Sequence, residues 1–228
     1  MPASARSAGF ARCHRGRRPL LQVLLLAVAA SAPSATPAQS LAEIAPLDAS
    51  RPITYFIAPG VPKSGYVPAD RQLAQWALGA WQRNAGGVLH LKPAPEGEAI
   101  LRIYWVPASA GEYGEMRPFV LDGRRGAAAF IRPDTDALGP QIAKRATEDP
   151  LFRDTVVYLT CLHEIGHALG LVHTDNYQDI MYFFGYGGDV EKYFERYRQQ
   201  LHSRDDIARV SGISAGDLKQ LRALYKSH

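Results

Sequence analysis

The alternation of apolar and polar positions becomes regular from residue 52 onward. ITYFIA, rich in β-branched and aromatic side chains, predicts a strand. In ADRQLAQWALGAWQRNAGG, Leu73, Trp76, Ala77, Ala80 and Trp81 recur at i, i+3, i+4, i+7 and i+8. That spacing makes one apolar helix face, with Asp70 near its start and Gly86 and Gly87 past its end, and both tryptophans are expected in the core. VLHLK and AILRIYWV predict two more strands around the turn-rich PAPEGE. A polar, glycine-containing stretch then runs to Arg125 with no strand assigned. GAAAFI predicts a short strand of small residues, suited to close approach by another backbone, either a neighbouring element or an extended peptide.

From Thr155 the pattern is helical through VVYLTCLHEIGHALG, with Gly170 placed to stop it. Val190, Tyr193, Phe194, Tyr197 and Leu201 form a further helical stripe, and SAGDLKQLRALY opens on a Ser-x-x-Asp start signal. The aromatic segment from Phe184 to Ile213 suits a lid, a docking surface for a protein substrate, or a cover for the core beneath it.

The first residues read differently. Arg6, Arg12, Arg15, Arg17 and Arg18 precede the apolar run LLQVLLLAVAA and the small-residue stretch SAPSATPAQS, the three-part pattern of an export signal. The expected organisation is a signal over residues 1–38, a short leader over 39–50 and one domain over 51–228. The apolar run is about half the ~20 residues of a spanning helix, so no permanent membrane anchor is expected and the location is secreted or periplasmic. Loss of residues 1–38 removes five arginines and no acids, leaving 21 basic against 22 acidic side chains. The basic balance of the whole chain therefore gives no reason to expect a nucleic-acid partner. Cys13 leaves with the signal, and Cys161, then alone, reads as a buried core thiol.

The candidate chemistry lies in HEIGHALGLVH, residues 163–173. On a helix, His163 and His167 share one face roughly 6 Å apart along the axis, and Glu164 sits beside the first of them. Gly170 permits the left-handed turn that brings His173 back to the same ion. Three neutral imidazoles hold a zinc ion and leave a fourth position for water, the arrangement of a catalytic rather than a structural site. Glu164 is then the general base for that water and the acid for the leaving amine.

HEIGHALGLVH resembles the metzincin zinc-binding consensus at every fixed position, and DIMYF looks like the Met-turn, with Met181 as a base under the zinc. The chain is most similar to the matrixins, whose catalytic domains also place Met-Tyr eight residues beyond the third histidine. The resemblance covers roughly residues 52–225. It implies an α+β, zincin-like fold: a twisted mixed sheet on the active-site helix and a second long helix, with a smaller C-terminal subdomain carrying the Met-turn and a final helix. It also implies a protein or peptide substrate extended along GAAAFI, touching Ala128, and Tyr182 walling the pocket for the side chain after the cut bond. Phe183 stands where astacin-like relatives place a tyrosine ligand, and Tyr186 is a candidate oxyanion stabiliser.

Departures from the family pattern qualify this. No histidine lies between Gly114 and Asp154, so a second, structural zinc is not expected. Asp134 and Asp136 offer calcium ligands but suit a solvated loop equally well. A cysteine-switch propeptide is missing; His90, His202 and His228 lack matched partners and read as structural or solvated; and a monomer is the default state. The leading reading is an exported zinc endopeptidase. Alternatives are a zinc amidase acting on cell-wall or other non-protein amides, and a zinc-stabilised binding module without turnover.

Overall fold

The computed structural model describes residues 44–107, 109 and 113–226. The export-signal expectation over residues 1–38, and His228, lie outside them. Five strands form one mixed sheet in the order β2-β1-β3-β5-β4, with β1 at Ile53–Ile57, β2 at Leu91–Pro93, β3 at Leu101–Trp105, β4 at Gly114–Leu121 and β5 at Arg124–Ile131. β1, β2, β3 and β5 run parallel, and β4 pairs antiparallel with β5.

The register explains the core. Ile57, Ile103, Ala129 and Met116 stand side by side across four strands, and all four are buried. Helices α1 (Asp70–Asn84) and α3 (Pro150–Ala168) pack together, with the Trp81 indole N–H donating to the Leu162 carbonyl at 2.9 Å. α3 lies against β4 and β5, so the element that comes close to the small residues of β5 is this helix. Trp81 is fully buried, whereas Trp76 is only half-buried, with the Arg204 guanidinium 5.0 Å above its ring.

Four elements depart from the sequence expectation. β4 falls in the stretch left without a strand: of its eight residues only Met116 is buried, and Pro118 removes a ladder donor, which an edge strand tolerates. α2 (Pro140–Glu148) was also unassigned, because it buries only Ile142 and Ala146. α3 begins five residues before Thr155, where Asp149 caps it by accepting from the Leu151 and Phe152 N–H groups at 3.1 and 3.2 Å, with Pro150 following. VLHLK shrinks to the three residues of β2.

The described part of the leader is not separate from the domain. Leu47 is buried, its N–H donates to the Tyr225 hydroxyl at 3.0 Å, and the Arg125 guanidinium donates to the Ala45 carbonyl at 3.0 Å. Beyond Gly170 the chain leaves the sheet and builds α4 (Val190–Arg198) and α5 (Ala215–Leu224). α4 covers core: Tyr193, Phe194 and Tyr197 are buried, Phe194 meets Phe152 edge-on, and Tyr197 stacks on Tyr158 at 5.5 Å. Among the described residues no helix is long and apolar enough to cross a membrane.

Candidate active site

The last turns of α3 carry His163, Glu164 and His167, and the turn after it supplies the third imidazole. Gly170 takes φ +97°, with its N–H bonded to the His167 carbonyl at 2.9 Å and the Leu171 N–H to the Gly166 carbonyl at 3.0 Å. This pairing closes a helix on a left-handed residue and reverses the chain. Glycine is required there twice over, because a Cβ would also meet the Pro46 nitrogen at 2.7 Å. Three residues on, His173 Nε2 lies 3.0 Å from His167 Nε2 and 3.3 Å from His163 Nε2.

These spacings fit a tetrahedral zinc ion, whose Zn–N bonds of roughly 2.0–2.1 Å put neighbouring ligand nitrogens about 3.3 Å apart. The tautomers fit as well. His163 Nδ1–H donates to the Ile180 carbonyl at 2.6 Å and His167 Nδ1–H to the Leu171 carbonyl at 2.9 Å, so both Nε2 atoms present lone pairs to one another. Lone pairs facing each other in this way call for a cation. Burial lowers the pKa of His163, and burial and then the two other imidazoles hold His167 well below its ordinary value; His173, the most open of the three to solvent, is lowered to about 4 by the part of its ring that is covered and by His163 beside it.

The turn that supplies the Ile180 carbonyl also carries Met181. Met181 is fully buried, and a Cβ on Gly166 would fall 2.5 Å from its sulfur, so the side chain lies against α3 at Gly166, next in the chain to His167. Asp217, one turn into α5, accepts from the N–H groups of Ile180 at 2.9 Å and Met181 at 3.2 Å. Burial raises its pKa, with the hydrogen bonds it receives opposing that rise. Thr174 N–H donates to the Met181 carbonyl at 2.9 Å and Phe183 N–H to the Thr174 carbonyl at 3.1 Å, tying the arm that bears His173 to this turn.

Glu164 is buried and faces the first residue of β4, where a Cβ on Gly114 would meet its Oε1 at 2.4 Å. Ala128 is corrected: it pairs with Arg102 of β3 on one side and Arg117 of β4 on the other, so β5 is interior and offers no edge to an added strand. Tyr182 is buried, with its hydroxyl donated to the Gly187 carbonyl at 3.0 Å. Tyr186 is 66% exposed, with its ring edge-on to Phe183 at 5.4 Å. The Asp134 carboxylate caps the Asp136 N–H at 2.9 Å, Cys161 is a buried thiol, and His90 and His202 are exposed.

Sequence reasoning missed Gly114, the stacking of Phe183 on His173 and the wider part played by Asp217. Phe183 stacks on His173 at 4.8 Å and 29°. Only Asp217 had a signal, as the third residue of a capping box; nothing local marks the other two.

Comparison with known proteins adds the following. The family model Peptidase_M10, described as Matrixin, matches residues 49–213. The crystal structure of myroilysin is similar at 15% identity over 77% of this chain and 83% of that one, with a TM-score of 0.35. No curated protein matches.

Proposed function

The chain belongs to the matrixin family of zinc metalloendopeptidases, and from that premise we propose an exported endopeptidase in which His163, His167 and His173 hold the zinc and Glu164 moves the proton. The single observation that carries this reading is the meeting of three Nε2 atoms at 3.0 and 3.3 Å on the helix that bears Glu164. When bound, zinc supplies Lewis acidity: it polarises a carbonyl oxygen and makes water a competent nucleophile near neutral pH.

The remaining work falls to the chain. The Ile180 and Leu171 carbonyls fix the tautomers of His163 and His167, so that both offer Nε2. Glu164 takes a proton from the attacking water on its carboxylate and returns it to the leaving amine nitrogen. Met181 is the floor of the site, packed on Gly166, and Asp217 holds that floor through two N–H groups. The substrate backbone pairs along β4 in place of Ala128 and β5, because among the described strands β4 has a partner on one side only and starts at the Glu164 carboxylate. The side chain after the cut bond is walled by Tyr182 and the residues that follow it, where the Tyr182 hydroxyl donates to the Gly187 carbonyl at 3.0 Å. Export rests on the charge and apolar pattern of residues 1–38.

The test is cleavage profiling on a proteome-derived peptide library, with cell-wall fragments in parallel, with and without a zinc chelator and with Glu164→Ala. Chelation and the substitution are each expected to abolish peptide cleavage. Cleavage that persists in Glu164→Ala removes the assigned proton carrier, and turnover confined to cell-wall fragments replaces the substrate class.

A further inference from the structure

The three imidazoles are not oriented in the same way. His163 and His167 are each anchored at Nδ1 by a backbone carbonyl, at 2.6 and 2.9 Å. His173 is exposed, stands beyond the helix on an extended arm, and among the described residues nothing accepts from its Nδ1. Against its ring lies an aromatic face: the Phe183 ring is 4.8 Å away at 29°.

Phe183 is itself constrained on its other sides. Its N–H donates to the Thr174 carbonyl at 3.1 Å, next to the imidazole it stacks on. A Cβ on Gly185 would fall 2.1 Å from its Cε1, so the ring is laid over the backbone of that residue. Tyr186 abuts it edge-on at 5.4 Å and 89°. A planar group held from two directions sets the plane of the ring it stacks on, as a hydrogen bond does for the other two histidines. Loss of the partner that orients a metal ligand weakens metal affinity by roughly 10–100-fold.

We infer that Phe183 is the positioning residue for His173, doing by ring stacking what the Ile180 and Leu171 carbonyls do by hydrogen bonding. This rests on the reading of His173 as a zinc ligand. Tyr186 then acts one ring further out, as a buttress for Phe183 and not as a donor to the reacting carbonyl.

The experiment compares the purified protein with Phe183→Leu, Phe183→Trp and His173→Ala. The readouts are zinc affinity by competition with a chromophoric chelator, the visible absorption of the cobalt-substituted protein, and thermal stability of the chelated protein. Phe183→Leu keeps apolar volume but removes the plane: zinc affinity is expected to fall about tenfold or more and the cobalt band to change, with the chelated protein melting as wild type does. Phe183→Trp keeps a stacking face and is expected to restore both. Wild-type zinc affinity and cobalt spectrum in Phe183→Leu overturn the inference, as does equal weakening in Leu and Trp variants accompanied by a lower melting temperature. If His173→Ala binds zinc as tightly as wild type, the three-histidine site falls and this inference with it; if only His173→Ala loses zinc, the site stands and the positioning role alone fails.

Discussion

The carboxylate of Glu164 lies against the α-carbon of Gly114, close enough that a β-carbon there would come within 2.4 Å of Oε1 and 2.8 Å of Cδ. The register puts Gly114 opposite Ile131 on the buried side of the sheet, and the missing side chain is the space that the acid fills. Gly114→Ala is therefore expected to push the carboxylate by about 1 Å, and misplacement of that size costs on the order of 100-fold in kcat. Zinc affinity is expected to stay at the wild-type value, because the three atoms nearest the added methyl all belong to Glu164. Measuring kcat and zinc affinity together checks this: a variant with full activity disconnects Gly114 from the proton carrier.

Asp217 links the last helix to the site. Its fully buried carboxylate receives the N–H groups of Ile180, Met181 and Ser214 at 2.9, 3.2 and 2.9 Å. Asp217→Ala leaves buried donors unsatisfied, at a cost of about 3 kcal/mol. Ile180 is also the anchor of His163, so the same substitution is expected to weaken zinc binding. Urea unfolding of the chelated protein reads the first effect and chelator competition the second; a stability loss with unchanged zinc affinity shows that the turn keeps its shape without the carboxylate.

How much of this was legible in the sequence depends on how local each feature is. The helix bearing Trp81 and the H-E-x-x-H pair follow from spacing alone, and the Gly170 turn follows from the one residue type that adopts φ +97° without strain. β4 was hidden because an edge strand with one buried residue and a proline shows no alternation. Ala128 was misassigned because composition marks a strand approached closely but not what approaches, and β5 is interior. Asp217 was visible as a cap, and it does cap, since its carboxylate accepts from the Ser214 N–H at 2.9 Å while its own N–H donates to Ser214 Oγ at 3.0 Å; its spare acceptors reach Ile180 and Met181 only through the tertiary path. Phe183 and His173 are ten residues apart, and nothing in that interval predicts parallel rings.

The leader offers a separate test. Leu47 is 2% exposed, and the Tyr225 hydroxyl that receives its N–H donates in turn to the Leu169 carbonyl at 2.9 Å, at the end of the catalytic helix. Leu47→Ala is expected to cost about 2–5 kcal/mol, the range for emptying a core leucine site. A chain starting at residue 51 is expected to lose at least as much, lowering the melting temperature. Equal melting of the two lengths returns residues 44–50 to the status of an inert leader.

Acid stability depends in part on Asp206, in the short helical turn Arg204–Ala208. Its carboxylate accepts from the His202 and Ser203 N–H groups at 2.8 Å each, and these backbone bonds, with Ser203 first, hold its pKa at about 2 against an ordinary 3.8. A folded pKa below the unfolded one means that the unfolded chain takes up the proton first as pH falls, so the contribution is full above about pH 5 and is lost between 3.8 and 2. Asp206→Asn removes the charge and with it this dependence. The urea midpoint of the variant is expected to lie below that of wild type from pH 5 to 7, with the gap narrowing steadily as pH drops through 3.8. A gap that stays constant down to pH 3 shows that the difference is one of side-chain shape and that protonation of Asp206 does not govern it.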